Sequence, residues 1–175
     1  MKSIKFLFVA VISIVTFFYS CSSGSKGFDD IEVLYKESVE VLRSKDKEKI
    51  GKFIDKIMPD RGTIGYMNKN NCLYRGIPKH INAESGLLDS LRIFYTEKFY
   101  NYSEYLNTIL DLQELKIIEF DKSGEPEILY ESGCEEILFD EVHVTCGSKN
   151  DTIRYSFGEF LKVDGKWKTF TDFKL

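Results

Sequence analysis

The hydrophobic period of this chain changes once, and that change bounds what it can fold into. From Asp29 to Leu110 apolar residues recur at helical spacing, whereas from Leu115 to Leu175 they alternate with a period of two. Helices first and a run of strands last predict an α+β domain, with N-terminal helices packed on a curved C-terminal antiparallel sheet. No repeat or second hydrophobic unit interrupts this order, so residues 29–175 read as one domain.

Asp29 or Asp30 can cap a first helix carrying Ile31, Leu34, Tyr35, Val39 and Leu42 on one face. Ser44 or Asp46 can cap a second, with Ile50, Phe53, Ile54, Ile57 and Met58 as its stripe, and Pro59 ends it. Gly62, Gly65 and Gly76 make 60–78 read as a hairpin-like excursion, with Thr63–Met67 and Cys72–Tyr74 as short strands. From Ser85 the helical pattern returns through Leu88, Leu91, Tyr95, Phe99, Tyr102, Leu106 and Ile109, with a break expected near Asn101–Ser103. Strands are expected over Leu115–Phe120, Glu127–Glu131, Ile137–Cys146, Thr152–Lys162 and Lys166–Leu175.

Residues 1–20 stand apart from the fold. Lys2 and Lys5 precede an apolar run, Phe6–Phe18, whose 13 residues fall short of the about 20 that a spanning helix needs. A basic start, a short apolar stretch and a small residue before a cut are the parts of a secretory signal. Tyr19-Ser20-Cys21 then stands where bacterial lipoproteins carry their lipobox, so the chain resembles a lipoprotein precursor with Cys21 as the acylated residue. Phe18 and Tyr19 depart from the commoner aliphatic pattern, and such loosened boxes ending in Ser-Cys resemble those of Bacteroidota. The resemblance implies a palmitate-bearing protein of the cell envelope, held on a membrane through lipid on Cys21. By its family that membrane is the outer one, with its face left open. Residues 21–28 read as a tether, Ser22–Gly27 reaching at most about 23 Å when extended.

Charge narrows the partners. The formal charge is −4, and removing Lys2 and Lys5 leaves 22 basic against 28 acidic residues, a net −6. Nucleic-acid binding depends on clustered Lys and Arg that neutralise phosphates, and this chain has no such cluster. Anionic lipid would not attract the domain either, so the anchor is the acyl chain rather than a basic patch. Two histidines and widely spaced cysteines offer no zinc-type spacing, and no metal or cofactor is expected.

The last hairpin can be read in register. A three-residue loop Val163-Asp164-Gly165 pairs Leu161 with Trp167, Phe157 with Thr171 and Tyr155 with Phe173, keeping apolar residues on one face. A two-residue Asp164-Gly165 turn would instead set Leu161 opposite Lys168. The first register puts Glu159 on the apolar face opposite Thr169, and a buried carboxylate demands a partner. Glu159, Thr169, Thr171, Trp167 and Tyr155 therefore form a candidate pocket; a Glu at the sheet margin or bonded to a helix end accounts for Glu159 equally. His143, near Glu141, is the better placed of the two histidines, and a solvent-facing strand histidine explains it as well.

Cys72, Cys134 and Cys146 remain for disulfide chemistry after Cys21 is acylated. If Ile137–Cys146 is one strand, Cys134 and Cys146 lie about 40 Å apart, so Cys72 is expected to join Cys134 or Cys146. Three free thiols remain the alternative.

In element order, residues 29–175 are similar to the nuclear-transport-factor-like cone fold, shared with ketosteroid isomerase, with Gly158 and a bulge at Gly165 curving the sheet. Three functions follow as expectations. The first is a non-catalytic binding or accessory module of the envelope, and the second an interaction or immunity-type protein with a single protein partner. The third is a cone-fold enzyme with an acid–base pair in a pocket near Glu159.

Overall fold

Asp30, not Asp29, starts the first helix. Its carboxylate accepts from the backbone N–H of Glu32 at 2.6 Å and opens α1 (Ile31–Ser44). Asp46 does the same for α2 (Lys47–Ile57), accepting from Glu48 N–H at 2.9 Å. The computed structural model describes residues 26–72, 86–123, 127–128, 137–139, 141–149, 151–170 and 173–175. Residues 1–25, Cys21 among them, and His80, Cys134 and Thr171 lie outside them.

Two helical expectations are corrected. The excursion after Pro59 is a helix, α3 (Arg61–Lys69), rather than a hairpin. Asp60 caps it by accepting from Thr63 N–H at 2.7 Å and Thr63 Oγ1 at 2.8 Å, and Thr63, Ile64 and Met67 share its buried face. Here a cap and one buried turn outweigh two unfavourable glycines. The later pattern is one unbroken helix, α4 (Leu87–Ile109). Ser103 continues it by pointing inward, where its hydroxyl donates to the Leu42 carbonyl at 3.1 Å.

The strands are β1 (Lys116–Ser123), β2 (Glu127–Ile128), β3 (Ile137–Phe139), β4 (Glu141–Ser148), β5 (Asp151–Tyr155), β6 (Phe160–Val163) and β7 (Lys166–Thr169). They form two antiparallel sheets, ordered β1-β4-β5 and β2-β3-β6-β7. The same chain segments neighbour one another in both. Strand β1 leads to β2, β3 to β4 and β5 to β6, while Lys174 beyond β7 bridges Ser156 at the end of β5. The two sheets are thus one four-stranded meander bent across a corner. The stretches expected as single strands at 137–146 and 152–162 are each divided between the two sheets, and β7 ends at Thr169. In the described part of the corner, Gly158 sits at φ +79°.

The bend lets the sheet wrap the helices. Tyr35 of α1 is fully buried, and its ring meets Phe120, Tyr155, Phe157 and Phe160 at centroid distances of 5.3–6.1 Å. Phe157 also touches Phe53 of α2 and Phe99 of α4, tying three helices to the corner. A second, smaller core lies across β6, where Leu161 and Val163 pack with Ile64, Met67, Cys72 and Leu88. Strand β6 is therefore covered on both faces: Phe160 points to the main core and Leu161 to α3.

That double cover overturns the expected hairpin register. Phe160 pairs with Thr169, Leu161 with Lys168 and Lys162 with Trp167, around a two-residue Asp164-Gly165 turn. Asp164 at φ +51° and Gly165 at φ +72° supply the two positive φ values of a type I′ turn, and no bulge forms at Gly165. Lys168 opposite Leu161 is tolerated because its ammonium finds backbone carbonyls inside the protein. The domain also begins earlier than the tether boundary at residue 28 implied. Phe28 is core, and its carbonyl accepts from Trp167 N–H at 2.8 Å on the free edge of β7.

Candidate functional site

Of the residues expected to line a pocket, Thr171 lies outside the described residues, and the structure places Tyr155 on β5, Glu159 just before β6, and Trp167 and Thr169 on β7. Tyr155 is buried on β5, where its hydroxyl meets Ser38 Oγ at 2.7 Å; Ser38 in turn donates to the Tyr35 carbonyl at 2.7 Å. Cys146 hydrogen-bonds Tyr155 from the neighbouring strand, completing a buried polar chain. Burial pushes the Tyr155 hydroxyl well above its ordinary range, and it pushes the Cys146 thiol up to about 11. Both groups therefore stay neutral and unreactive at physiological pH. Thr169 is fully buried and donates to the Phe157 carbonyl, and Trp167 lies on β7 with the Lys162 ammonium 5.5 Å above its ring. Glu159 is half-buried at the bend, and Phe160 occupies the position opposite Thr169. Where a cone would hold ligand, the rings of Tyr35, Phe53, Phe99, Phe157 and Phe173 fill the space.

The cysteines divide differently from one of the two pairings expected. Cys72 is disulfide-bonded, whereas Cys146 is a free, buried thiol, so Cys146 is not its partner. Cys134, the other expected partner, lies outside the described residues. His143 sits half-buried on β4 in register with Asp121. Among the described residues no group of three His, Cys, Asp or Glu side chains could hold a metal ion, and no helix is long and apolar enough to cross a membrane.

Two surface features stand out instead. The first is the corner after α2, where the chain enters the fold. Lys168 donates to the carbonyls of Lys56 at 2.8 Å and Met58 at 3.1 Å, and Arg92 of α4 donates to that of Pro59 at 3.1 Å. Cations at a helix C-terminus satisfy orphan carbonyls and complement the helix dipole. Burial drives the Lys168 pKa down to about 8, against the pull of the Asp60 carboxylate nearby. Asp60, though itself half-buried, is held below its ordinary value by hydrogen bonds from Thr63 and from the backbone of Lys26. A cavity of about 360 Å³ opens here between Lys26, Asp55, Asp60, Arg61, Asp89 and Arg92. Arg92 bridges Asp55 at 3.4 Å and Asp89 at 3.1 Å, so the charges in this corner largely cancel.

The second is a groove of about 360 Å³ between α1 and β1, floored by Val39, Ile117 and Phe120 and rimmed by Glu32, Lys36, Glu40, Arg43 and Lys116. Its wall β1 is the edge of its sheet among the described strands and carries a register shift at Ile118, which is 63% exposed. An apolar floor beneath charges of both signs suits a polypeptide better than a single small anion.

No protein-family model, curated protein or solved structure matches the chain. The chemistry must therefore be read from this geometry alone. Neither feature sets a nucleophile beside a base. The polar groups of the first close helix ends and neutralise one another, and the Arg43 guanidinium in the second engages Glu40 and the Leu115 carbonyl. Sequence reasoning missed both Lys168 and Phe28. For Lys168 the available signal was the Asp164-Gly165 dipeptide, the strongest short hairpin mark, which fixes the register that buries it.

Proposed function

We propose that this chain is a lipid-anchored, non-catalytic accessory or binding lipoprotein of the cell envelope, attached through Cys21. One observation carries the reading furthest: Phe28 is sealed onto β7, so the fold begins only a few residues after the Ser20-Cys21 lipobox. So short a connection suits an attachment point better than a linker to another unit. A disulfide at Cys72 fits an oxidising compartment outside the cytoplasm. The aromatic filling of the interior favours a surface-binding protein over a cone-fold enzyme. Dual or triple acylation supplies stable anchoring, because each buried methylene adds about 0.8 kcal/mol.

The test is metabolic labelling with an alkyne palmitate together with membrane fractionation of cells expressing the full chain. The wild type should carry label and sediment with membranes, and Cys21→Ser should lose the label and leave the membrane fraction. Unchanged fractionation of Cys21→Ser would overturn the anchor.

The groove beside β1 favours a second reading, in which the anchored domain engages one protein partner. An edge strand beside an apolar floor can accept an added strand from another chain. If so, Ile118→Glu should abolish capture of a single envelope protein while leaving membrane attachment intact.

A further inference from the structure

Among the described residues, α4 carries five of the seven exposed large apolar side chains, three near its start and Tyr105 and Ile109 near its end. Leu87, Ile93 and Phe94 are 43%, 66% and 55% exposed, and all three belong to the first two turns of α4. At 1.5 Å per residue they span only about 10 Å of helix. Phe94 stands one heptad from Leu87, and Ile93 and Phe94 straddle the outward crest of the helix, opposite buried Leu88 and Phe99.

The same two turns form one wall of the corner where the chain enters. Asp89 and Arg92 line the cavity that Lys26 also lines, and the Lys26 backbone bonds Asp60 across it. Lys26 is five residues beyond Cys21, a reach of at most about 18 Å when fully extended. An acyl anchor on Cys21 therefore keeps the bilayer surface close to this end of α4. Charge does not oppose the approach. Lys26, Arg61 and Arg92 stand against Asp55, Asp60 and Asp89, so this end is balanced while the domain as a whole is acidic.

We propose that the N-terminal end of α4, through Leu87, Ile93 and Phe94, docks on the lipid surface and fixes the orientation of the anchored domain. This rests on the reading of Cys21 as the lipid attachment point. The occupant is the bilayer interface itself, bound by apolar contact rather than by anionic headgroups. Interfacial helices sit with their apolar residues in the headgroup–acyl boundary. Held so, the protein would present one reproducible face to the envelope instead of swinging on its tether.

The experiment uses full-length chain expressed in bacteria, extracted from membranes and reconstituted in vesicles of phosphatidylcholine carrying brominated acyl chains. Phe94→Trp and Ile118→Trp are compared, with the emission of the buried Trp167 in the wild type as baseline. Tryptophan at 94 should shift to shorter wavelength and be quenched at least about twofold more than at 118, since an interfacial face reaches roughly 5–10 Å into the boundary. Equal or absent quenching at 94 in a protein that is membrane-bound through Cys21 overturns the docking and leaves the anchor standing. Wild-type chain that does not partition with membranes through Cys21 overturns both. Leu87→Ser with Ile93→Ser should abolish the difference between the two positions without releasing the protein from the vesicles. Retention of that difference would also overturn the proposal.

Discussion

Strands β4 and β6 lie in different sheets and follow different rules. In β4, Val142, Val144 and Cys146 are fully buried, while His143 and Thr145 between them are only half-buried. One face meets helices and the other lies near solvent, so the alternation in the sequence reports the fold faithfully. In β6, Phe160 and Leu161 are adjacent and both fully buried, because the main core covers one face and α3 the other. Alternation carries information only where one face is wet. A strand sandwiched between layers loses its period, and its register must come from the turn.

Charge substitutions would break this comparison most sharply. Val144→Lys should cost more than about 4 kcal/mol and prevent soluble folding, whereas Thr145→Lys should stay within about 0.5 kcal/mol. Across the corner, Phe160→Lys and Leu161→Lys should both be severe, as measured by urea unfolding. A tolerated Leu161→Lys would mean that α3 does not cover β6. Next in size, Phe157→Ala removes the ring at which both halves of the sheet and three helices meet, and should cost about 3–5 kcal/mol by the same measurement.

Lys168 sharpens the contrast through pH. Lys168→Met leaves the carbonyls of Lys56 and Met58 without their donor and should destabilise the protein by about 1–3 kcal/mol at pH 7. The folded pKa of about 8 lies below the ordinary 10.5. Between those values the unfolded chain binds more protons than the folded one, so this group makes stability rise with pH. The gap between wild type and Lys168→Met should therefore widen above pH 8, by at most about 1.4 kcal/mol per pH unit. Cys146 and Tyr155, raised by burial, oppose that rise in the alkaline range, but both proteins share them and they cancel in the difference. A gap that stays constant from pH 7 to 10 would mean that Lys168 is hydrated. The turn comes last among the destabilising changes: Gly165→Ala at φ +72° should cost about 1–2 kcal/mol in thermal or urea unfolding, without changing the register.

Legibility followed the same division. The starts of α1 and α2 were readable to within two residues because each pairs an acidic cap with a one-sided stripe. Helix α3 was hidden by Gly62 and Gly65, whose low propensity is overridden by Asp60 and by contacts with β6 that no local window contains. The expected hairpin register failed for one cause: it assumed a wet outer face, whereas β6 is covered on both sides. Phe28 looked like the end of a tether because its partner, Trp167, lies 139 positions away in the chain.

The sequence by itself determined the order of helices before strands, the stripes of the first two helices and the acidic balance of the chain. These are local properties, written in spacing and charge over a few turns. Tertiary structure alone decided that the strands bend across one corner and that β6 is covered twice. It also decided that Lys168 is interior. Each depends on what a distant layer places against a surface, and no periodicity within a single element records its neighbour.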